Sequence, residues 1–164
     1  MKKYNCATKP FDHQRKALDL SWNKNNYALF MEMGTGKTKV AIDNMGILKE
    51  QNEIDLAIII APKSVYMNWK TEIETHLSDE VQYEMFCWPK IKDLATDFLL
   101  QNKLGIILMN VEALSHKSGV DFLKKIMIRF RNTMVILDES TTIKNRTAAR
   151  TKNILKVCLQ SKYK

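Results

Sequence analysis

The run LAIIIA at positions 56–61 is apolar at every residue and closes on Pro62. A strand without polar alternation has to bury both faces, and a sheet buried on both faces is a parallel one with helices packed on each side. Two further runs repeat the pattern, GIILM at 105–109 and MVIL at 134–137. The stretches between them have helical character. The chain reads as a helix over 12–23, a short strand YALFM over 27–31, and a helix over 37–50 with Val40, Ala41, Met45 and Leu48 on one face. After the strand at 56–61, Ser64 stands as the N-cap of a helix carrying Val65, Trp69 and Ile73 at i, i+4 and i+8. A weaker strand over 81–86, a helix over 90–102, a strand over 104–109, a helix over 119–131, a strand over 133–137 and a basic amphipathic helix over 147–160 follow. Buried strands alternating with helices predict an α/β fold with a mostly parallel sheet. In such sheets ligands bind at the carboxyl ends of the strands. The stretch GTGKT, the Pro62 turn, Asn110 and the pair Asp138-Glu139 all fall at that edge.

The bulk numbers agree with one globular domain. A chain of 164 residues can bury about 70% of its unfolded surface. Five Gly and three Pro leave little room for long flexible linkers. No apolar run approaches the roughly 18 residues that span a membrane. The N-terminal MKKYNCATKP is basic but has no apolar core of a secretory signal. Cys6, Cys87 and Cys158 are widely spaced, with no CxxC pair, which predicts a reduced cytoplasmic chain with neither a zinc site nor a disulfide framework. The formal net charge is +8, and it is unevenly placed: all 18 acidic residues precede position 144, and residues 144–164 hold seven Lys and Arg. A basic block of this kind either binds phosphate backbones or forms a solvated helix face.

The stretch MEMGTGKT at 31–38 ends like a phosphate-binding loop, although the pattern GxxxxGK[ST] asks for a glycine where Met31 stands. Gly34 and Gly36 let the backbone turn tightly, with Thr35 between them, so that N–H groups face a phosphate chain and the next helix offers its positive end. Lys37 reaches the β- and γ-phosphates of a nucleoside triphosphate, and the Thr38 hydroxyl holds Mg²⁺. A chance GKT in a turn is the bland alternative, and the strand–loop–helix context stands against it. The second half of such a site is VILDES, in which an apolar strand delivers Asp138 and Glu139 to the sheet edge. Asp138 then holds Mg²⁺ as a Walker-B carboxylate does, and Glu139 orients and deprotonates the attacking water.

With MEMGTGKT, DES and IKN on the page, the chain resembles helicase superfamily 2, specifically the SNF-type, remodeller-like ATPases and their small phage relatives. The first motif of that family accepts a non-glycine at the Met31 position. The resemblance covers about residues 10–150, with motifs in family order. FDHQ at 11–14 resembles the upstream glutamine motif, which implies that Gln14 reads adenine. APKSVYMNWKTEI at 61–73 resembles motif Ia, and LMNVEAL at 108–114 the next nucleic-acid-facing motif. Lys63, Ser64 and Asn110 are therefore expected to face a nucleic-acid backbone, although Lys63 and Ser64 also fit an ordinary turn and helix cap. DESTTIKN at 138–145 resembles motif II. The family usually has His where Thr141 stands, a residue that commonly couples ATP hydrolysis to movement; Thr can hydrogen-bond but cannot carry the same charge. The resemblance implies a RecA-like P-loop domain over 1–164, the N-terminal lobe of a DNA-dependent ATPase that uses ATP and Mg²⁺, with double-stranded DNA as the track. Its location would be cytoplasmic, in the host cytosol for a phage protein.

In that family a further strand, following motif II in sequence, lies between the phosphate-loop strand and the motif II strand. The chain stops at SKYK, where that strand should begin, so an incomplete sheet is expected. A second RecA-like lobe, in a separate chain or missing from this one, is expected to supply the arginine finger. Arg146 and Arg150 follow motif II closely, but the resemblance places the finger in the other lobe. A second reading is a regulatory module that binds ATP or DNA without appreciable hydrolysis and acts through a partner chain. A third, a small nucleotide kinase, needs a lid and an acceptor pocket and has no place for the IKN-type motif II. Trp22, Trp69 and Trp88 could stack on bases, but Trp69 lies on the apolar stripe of its helix and reads as core, as do the methionines, which mostly follow apolar patterns.

Overall fold

The computed structural model describes residues 4–91, 101–139, 143–145 and 147–164. Its elements are α1 (Asp12–Ser21), α2 (Lys37–Glu50), β1 (Leu56–Ala61), α3 (Asn68–His76), β2 (Tyr83–Cys87), β3 (Leu104–Asn110), a 3-10 turn (Val111–Ser115), α4 (Lys117–Arg129), β4 (Thr133–Leu137) and α5 (Ala149–Gln160). The four strands form one sheet in the order β2-β3-β1-β4, and all three pairings are parallel. The expected α/β fold with a parallel sheet between helices is thus present.

β1 is central, and its period of two divides the core. Ala57, Ile59 and Ala61 pack on one side with Ile42, Met45 and Leu48 of α2 and Trp69 and Ile73 of α3. Leu56, Ile58 and Ile60 pack on the other with Leu123, Ile126 and Met127 of α4 and Ile154 and Val157 of α5. Each fully buried Ile or Leu stabilises the fold by about 1.5–3 kcal/mol relative to exposure, so β1 alone needs cover on both faces. The helix α2 is buried more widely than its one apolar face predicts. Residues Lys39 to Lys49 are all buried, and Lys39 and Asp43 form a 2.8 Å ion pair inside the protein.

Three local expectations are corrected. Residues 27–31 form no strand, and Phe30 is 95% exposed. Ser64 caps no helix: the Pro62 carbonyl accepts from the Val65 and Tyr66 N–H groups, both at 3.0 Å, and the resulting turn delays α3 to Asn68. Met33 and Met67 are exposed, although most other methionines lie in the core. The helix expected over 90–102 falls mostly on residues 92–100, and with Thr141 and Arg146 these lie outside the described residues.

The C-terminal residues lie beside the approach to residues 27–31. After α5 the chain runs beside β4: the Val135 N–H donates to the Tyr163 carbonyl at 2.8 Å, and Met134 and Tyr163 form a parallel bridge. On its other side, the Tyr27 N–H donates to the Lys164 carbonyl and the Lys164 N–H to the Asn25 carbonyl, both at 2.8 Å. This is the parallel pattern again. The tail therefore lies between β4 and the approach to the glycine loop.

Glu53 anchors this tail. Its Oε2 accepts from Lys162 Nζ at 2.6 Å and from the Tyr163 hydroxyl at 2.9 Å. The Lys162 and Tyr163 hydrogen bonds hold the Glu53 carboxyl below the usual glutamate value. Its anchoring contribution is present above the ordinary glutamate pKa and is lost as pH falls through the lowered one. No helix among the described residues is long and apolar enough to cross a membrane.

Two predictions test this architecture. Ile58→Ala should lower stability by about 2–5 kcal/mol in urea unfolding, while Leu159→Ala, 78% exposed, should change it by less than about 0.5 kcal/mol. Amide exchange of residues 161–164 should accelerate as pH drops below the glutamate range, after correction for intrinsic exchange, and Glu53→Gln should give the same acceleration at neutral pH.

Candidate nucleotide and nucleic-acid site

The parallel topology brings the candidate residues to one edge. The segment at 25–27 runs parallel to the tail and the tail parallel to β4, so the glycine loop emerges at the same carboxyl edge as Asp138. The Pro62 turn and Asn110 end β1 and β3 there.

In the loop, Gly34 and Gly36 both have φ +77°, a conformation that costs a non-glycine residue about 1–2 kcal/mol. The two glycines differ in surroundings. A Cβ at Gly34 would meet open space, whereas one at Gly36 would collide with the Gln14 amide nitrogen. Gly36 is also the N-cap of α2, a 14-residue helix whose first N–H groups are available to an anion. Lys37 closes the loop on itself: its Nζ donates to the Met31 carbonyl at 3.0 Å and to the Glu32 carbonyl at 2.9 Å. Thr35 reinforces the closure by donating its hydroxyl to the Glu32 carbonyl at 2.7 Å. Met31 thus contributes a carbonyl, which any residue supplies, and this accounts physically for a tolerated departure from glycine. Thr38 follows in the first turn of α2 and is half-buried.

Gln14 is buried at the start of α1, and both ends of its amide are engaged. Oε1 accepts from the Phe11 N–H at 2.9 Å and Nε2 donates to the Thr35 carbonyl at 3.1 Å. His13 Nε2 lies 3.0 Å from the same carbonyl, and the Phe11 ring, 69% exposed, stacks on His13 with centroids 5.8 Å apart. The upstream glutamine and the glycine loop are therefore one unit. FDHQ shows in the sequence, but the clamp of two side chains on Thr35 does not.

At the end of β4 the Asp138 N–H donates to the Ile60 carbonyl at 2.9 Å, extending the ladder with β1. Both carboxylate oxygens have donors. Oδ1 accepts from the Glu139 N–H and Oδ2 from the Trp69 indole Nε1, each at 2.9 Å. Glu139 has φ +51°, in the left-handed region. Trp69 is thus core, as its stripe predicts, but it also touches the site. Trp88 packs on Phe122 with centroids 5.0 Å apart, and Trp22 is partly buried against the cluster of Leu18, Val40 and Ile47.

Lys63 and Ser64 are exposed in the turn after β1. Asn110 is half-buried and donates Nδ2 to Glu112 Oε2 at 3.0 Å. Glu112 also accepts from the Lys63 backbone N–H. Burial raises its pKa, but the hydrogen bonds from Asn110, its own backbone and Lys63 outweigh that and hold the carboxyl below the usual value. Glu112 therefore links the Lys63 turn to Asn110, a role that LMNVEAL alone does not reveal. In the basic C-terminal stretch, Thr151, Ile154 and Val157 face the core and Lys152 and Lys156 are exposed. Asn145 accepts from the Thr147 N–H and hydroxyl at 3.0 and 2.7 Å. Among the described residues no cluster of three or more His, Cys, Asp or Glu side chains could hold a metal by itself.

The family described as the SNF2-related domain matches residues 13–164. Protein CHROMATIN REMODELING 24 of Arabidopsis thaliana is 26% identical over 162 residues, which is 92% of this chain and 15% of that protein. ATP-dependent helicase FUN30 of Saccharomyces cerevisiae is 29% identical over 157 residues, 89% of this chain and 13% of that protein. The chain thus spans less than a sixth of the length of these relatives. The Sulfolobus solfataricus SWI2/SNF2 ATPase core, solved in complex with dsDNA, superposes with a TM-score of 0.72 at 22% identity, over 99% of this chain and 32% of that one. That likeness shows the same fold.

The two glycines should separate in a stability measurement. Gly34→Ala should cost about 1–2 kcal/mol from its backbone conformation alone. Gly36→Ala should cost more in thermal unfolding, because its methyl group also displaces Gln14.

Proposed function

This chain belongs to the SNF2-related domain family, and from that premise we propose that it is the nucleotide-binding and hydrolysing lobe of a DNA translocase. The reading is supported by a glycine loop that runs into the N-terminus of α2 and by Asp138 and Glu139 at the end of β4, a strand of the parallel sheet. The cradle fits a phosphate chain: Gly36 leaves no room for a side chain, and the first turn of α2 supplies N–H donors. Gly34, Thr35 and Gly36 would wrap the phosphates, and Lys37 would exchange two neutral carbonyls for phosphate oxygens, a charge-assisted and stronger bond. Thr38 and Asp138 would hold Mg²⁺, which typically takes only one or two protein oxygens and completes its shell with phosphates and water. Bound there, the metal neutralises charge developing on the phosphates. Glu139 would orient and deprotonate the attacking water. Gln14, already against the loop, would read the adenine edge. Lys63, Ser64 and Asn110 would contact the backbone of duplex DNA, the ligand of the solved SWI2/SNF2 core.

Full turnover on this reading takes a second RecA-like lobe that supplies an arginine. Such a residue is worth about 10³–10⁵ in rate in related phosphoryl transfers. The relatives extend far beyond the matched region, which leaves room for such a lobe.

The deciding measurement is phosphate release from ATP by the purified chain, with and without duplex DNA, beside equilibrium binding of a fluorescent ATP analogue. Lys37→Ala should weaken binding at least about tenfold, equivalent to 1.4 kcal/mol. Glu139→Gln should bind normally and lose turnover. Binding retained in both variants and no release by the wild type, even with a second lobe added, would refute the ATPase reading.

A further inference from the structure

Trp69 holds two positions at once. Its ring is buried at 4% exposure among Ile42, Met45 and Ile73, and its Nε1 reaches out of that core to Asp138 Oδ2 at 2.9 Å. An indole N–H is a donor only, so it can bond the carboxylate in just one sense. With the Glu139 N–H on Oδ1, the two donors fix the plane of the carboxylate. The backbone of Asp138 is tied as well, since its N–H donates to the Ile60 carbonyl of β1. Ile60 and Trp69 bracket residues 61–68, the connection that carries the exposed Lys63, Ser64 and Met67. One residue, Asp138, is therefore bonded at both ends of the turn that leads from β1 into α3.

We propose that Trp69 is a positioning residue: its indole N–H sets the orientation of the Asp138 carboxylate and passes displacement of the 61–68 turn on to it. The proposal rests on the reading of Asp138 as the Mg²⁺ carboxylate. Partners that orient a metal ligand in this way typically change metal affinity by about 10–100-fold when removed. A ligand that moves the turn would shift α3 at Trp69, and the carboxylate would follow through a single hydrogen bond. The ring itself needs no contact with nucleotide or nucleic acid.

Trp69→Phe tests this, because it keeps a buried aromatic ring and removes only the donor and part of the ring volume. Thermal unfolding confirms that the variant is folded. The readout is binding of a fluorescent ATP analogue across a Mg²⁺ titration, with Asp138→Ala as the control. The expected result is unchanged binding without Mg²⁺ and a Mg²⁺ half-saturation raised about tenfold or more. In the ¹⁵N spectrum of the wild type, one of the three indole N–H signals should be absent in Trp69→Phe. The same signal should shift in Asp138→Ala and on addition of a short DNA duplex. If Asp138→Ala alters Mg²⁺ dependence and Trp69→Phe does not, the positioning role is overturned while the site reading stands. If neither variant alters it, the reading of Asp138 fails and the proposal fails with it. An indole signal indifferent to Asp138→Ala would also overturn the proposal.

Discussion

Burial of β1 on both faces is the constraint on which the rest of this structure depends. LAIIIA has no side that tolerates water, so α2 and α3 cover Ala57, Ile59 and Ala61 while α4 and α5 cover Leu56, Ile58 and Ile60. Covering both faces in turn requires helical crossovers between parallel strands. Parallel strands all end at one edge, and that edge collects the turns that follow them. The Pro62 turn, Asn110 and Asp138-Glu139 share an edge because the strands before them must point the same way.

The candidate site is held largely by backbone. The glycine loop folds around Lys37 through the carbonyls of Met31 and Glu32, and around Gln14 and His13 through the carbonyl of Thr35. Side-chain identity matters most where the backbone is left-handed, at Gly34 and Gly36, and where a side chain reaches across elements. Trp69 to Asp138 and Glu112 to both Asn110 and Lys63 are such reaches. They tie the turns that would face nucleic acid to each other and to the carboxylate at the end of β4.

Much of this was legible in sequence. The bounds of α2, β1 and β4 match those read from the sequence, since each has a clear stop: Gly36 before α2, Pro62 after β1, Asp138 after β4. The motifs MEMGTGKT and DES were legible because local backbone chemistry writes them. YALFM was misleading because its apolar pattern describes a buried strand, while Phe30 is 95% exposed. Ser64 was misleading because the Pro62 carbonyl drew the next N–H groups into a turn before the helix began.

By itself the sequence determined the fold class, the edge at which chemistry could gather, and the residue types able to serve phosphate and metal. These follow from the solubility of each segment and from the conformations open to glycine and proline, which are local properties. Only the tertiary structure decided that Lys37 rests on its own loop, that Glu112 joins two turns, that the tail at 161–164 lies between β4 and the approach to the glycine loop, and that the Trp69 indole meets Asp138. The Trp69 and Asp138 partners lie 69 residues apart, and a hydrogen bond over that separation is set by how the layers stack. No local pattern encodes that distance.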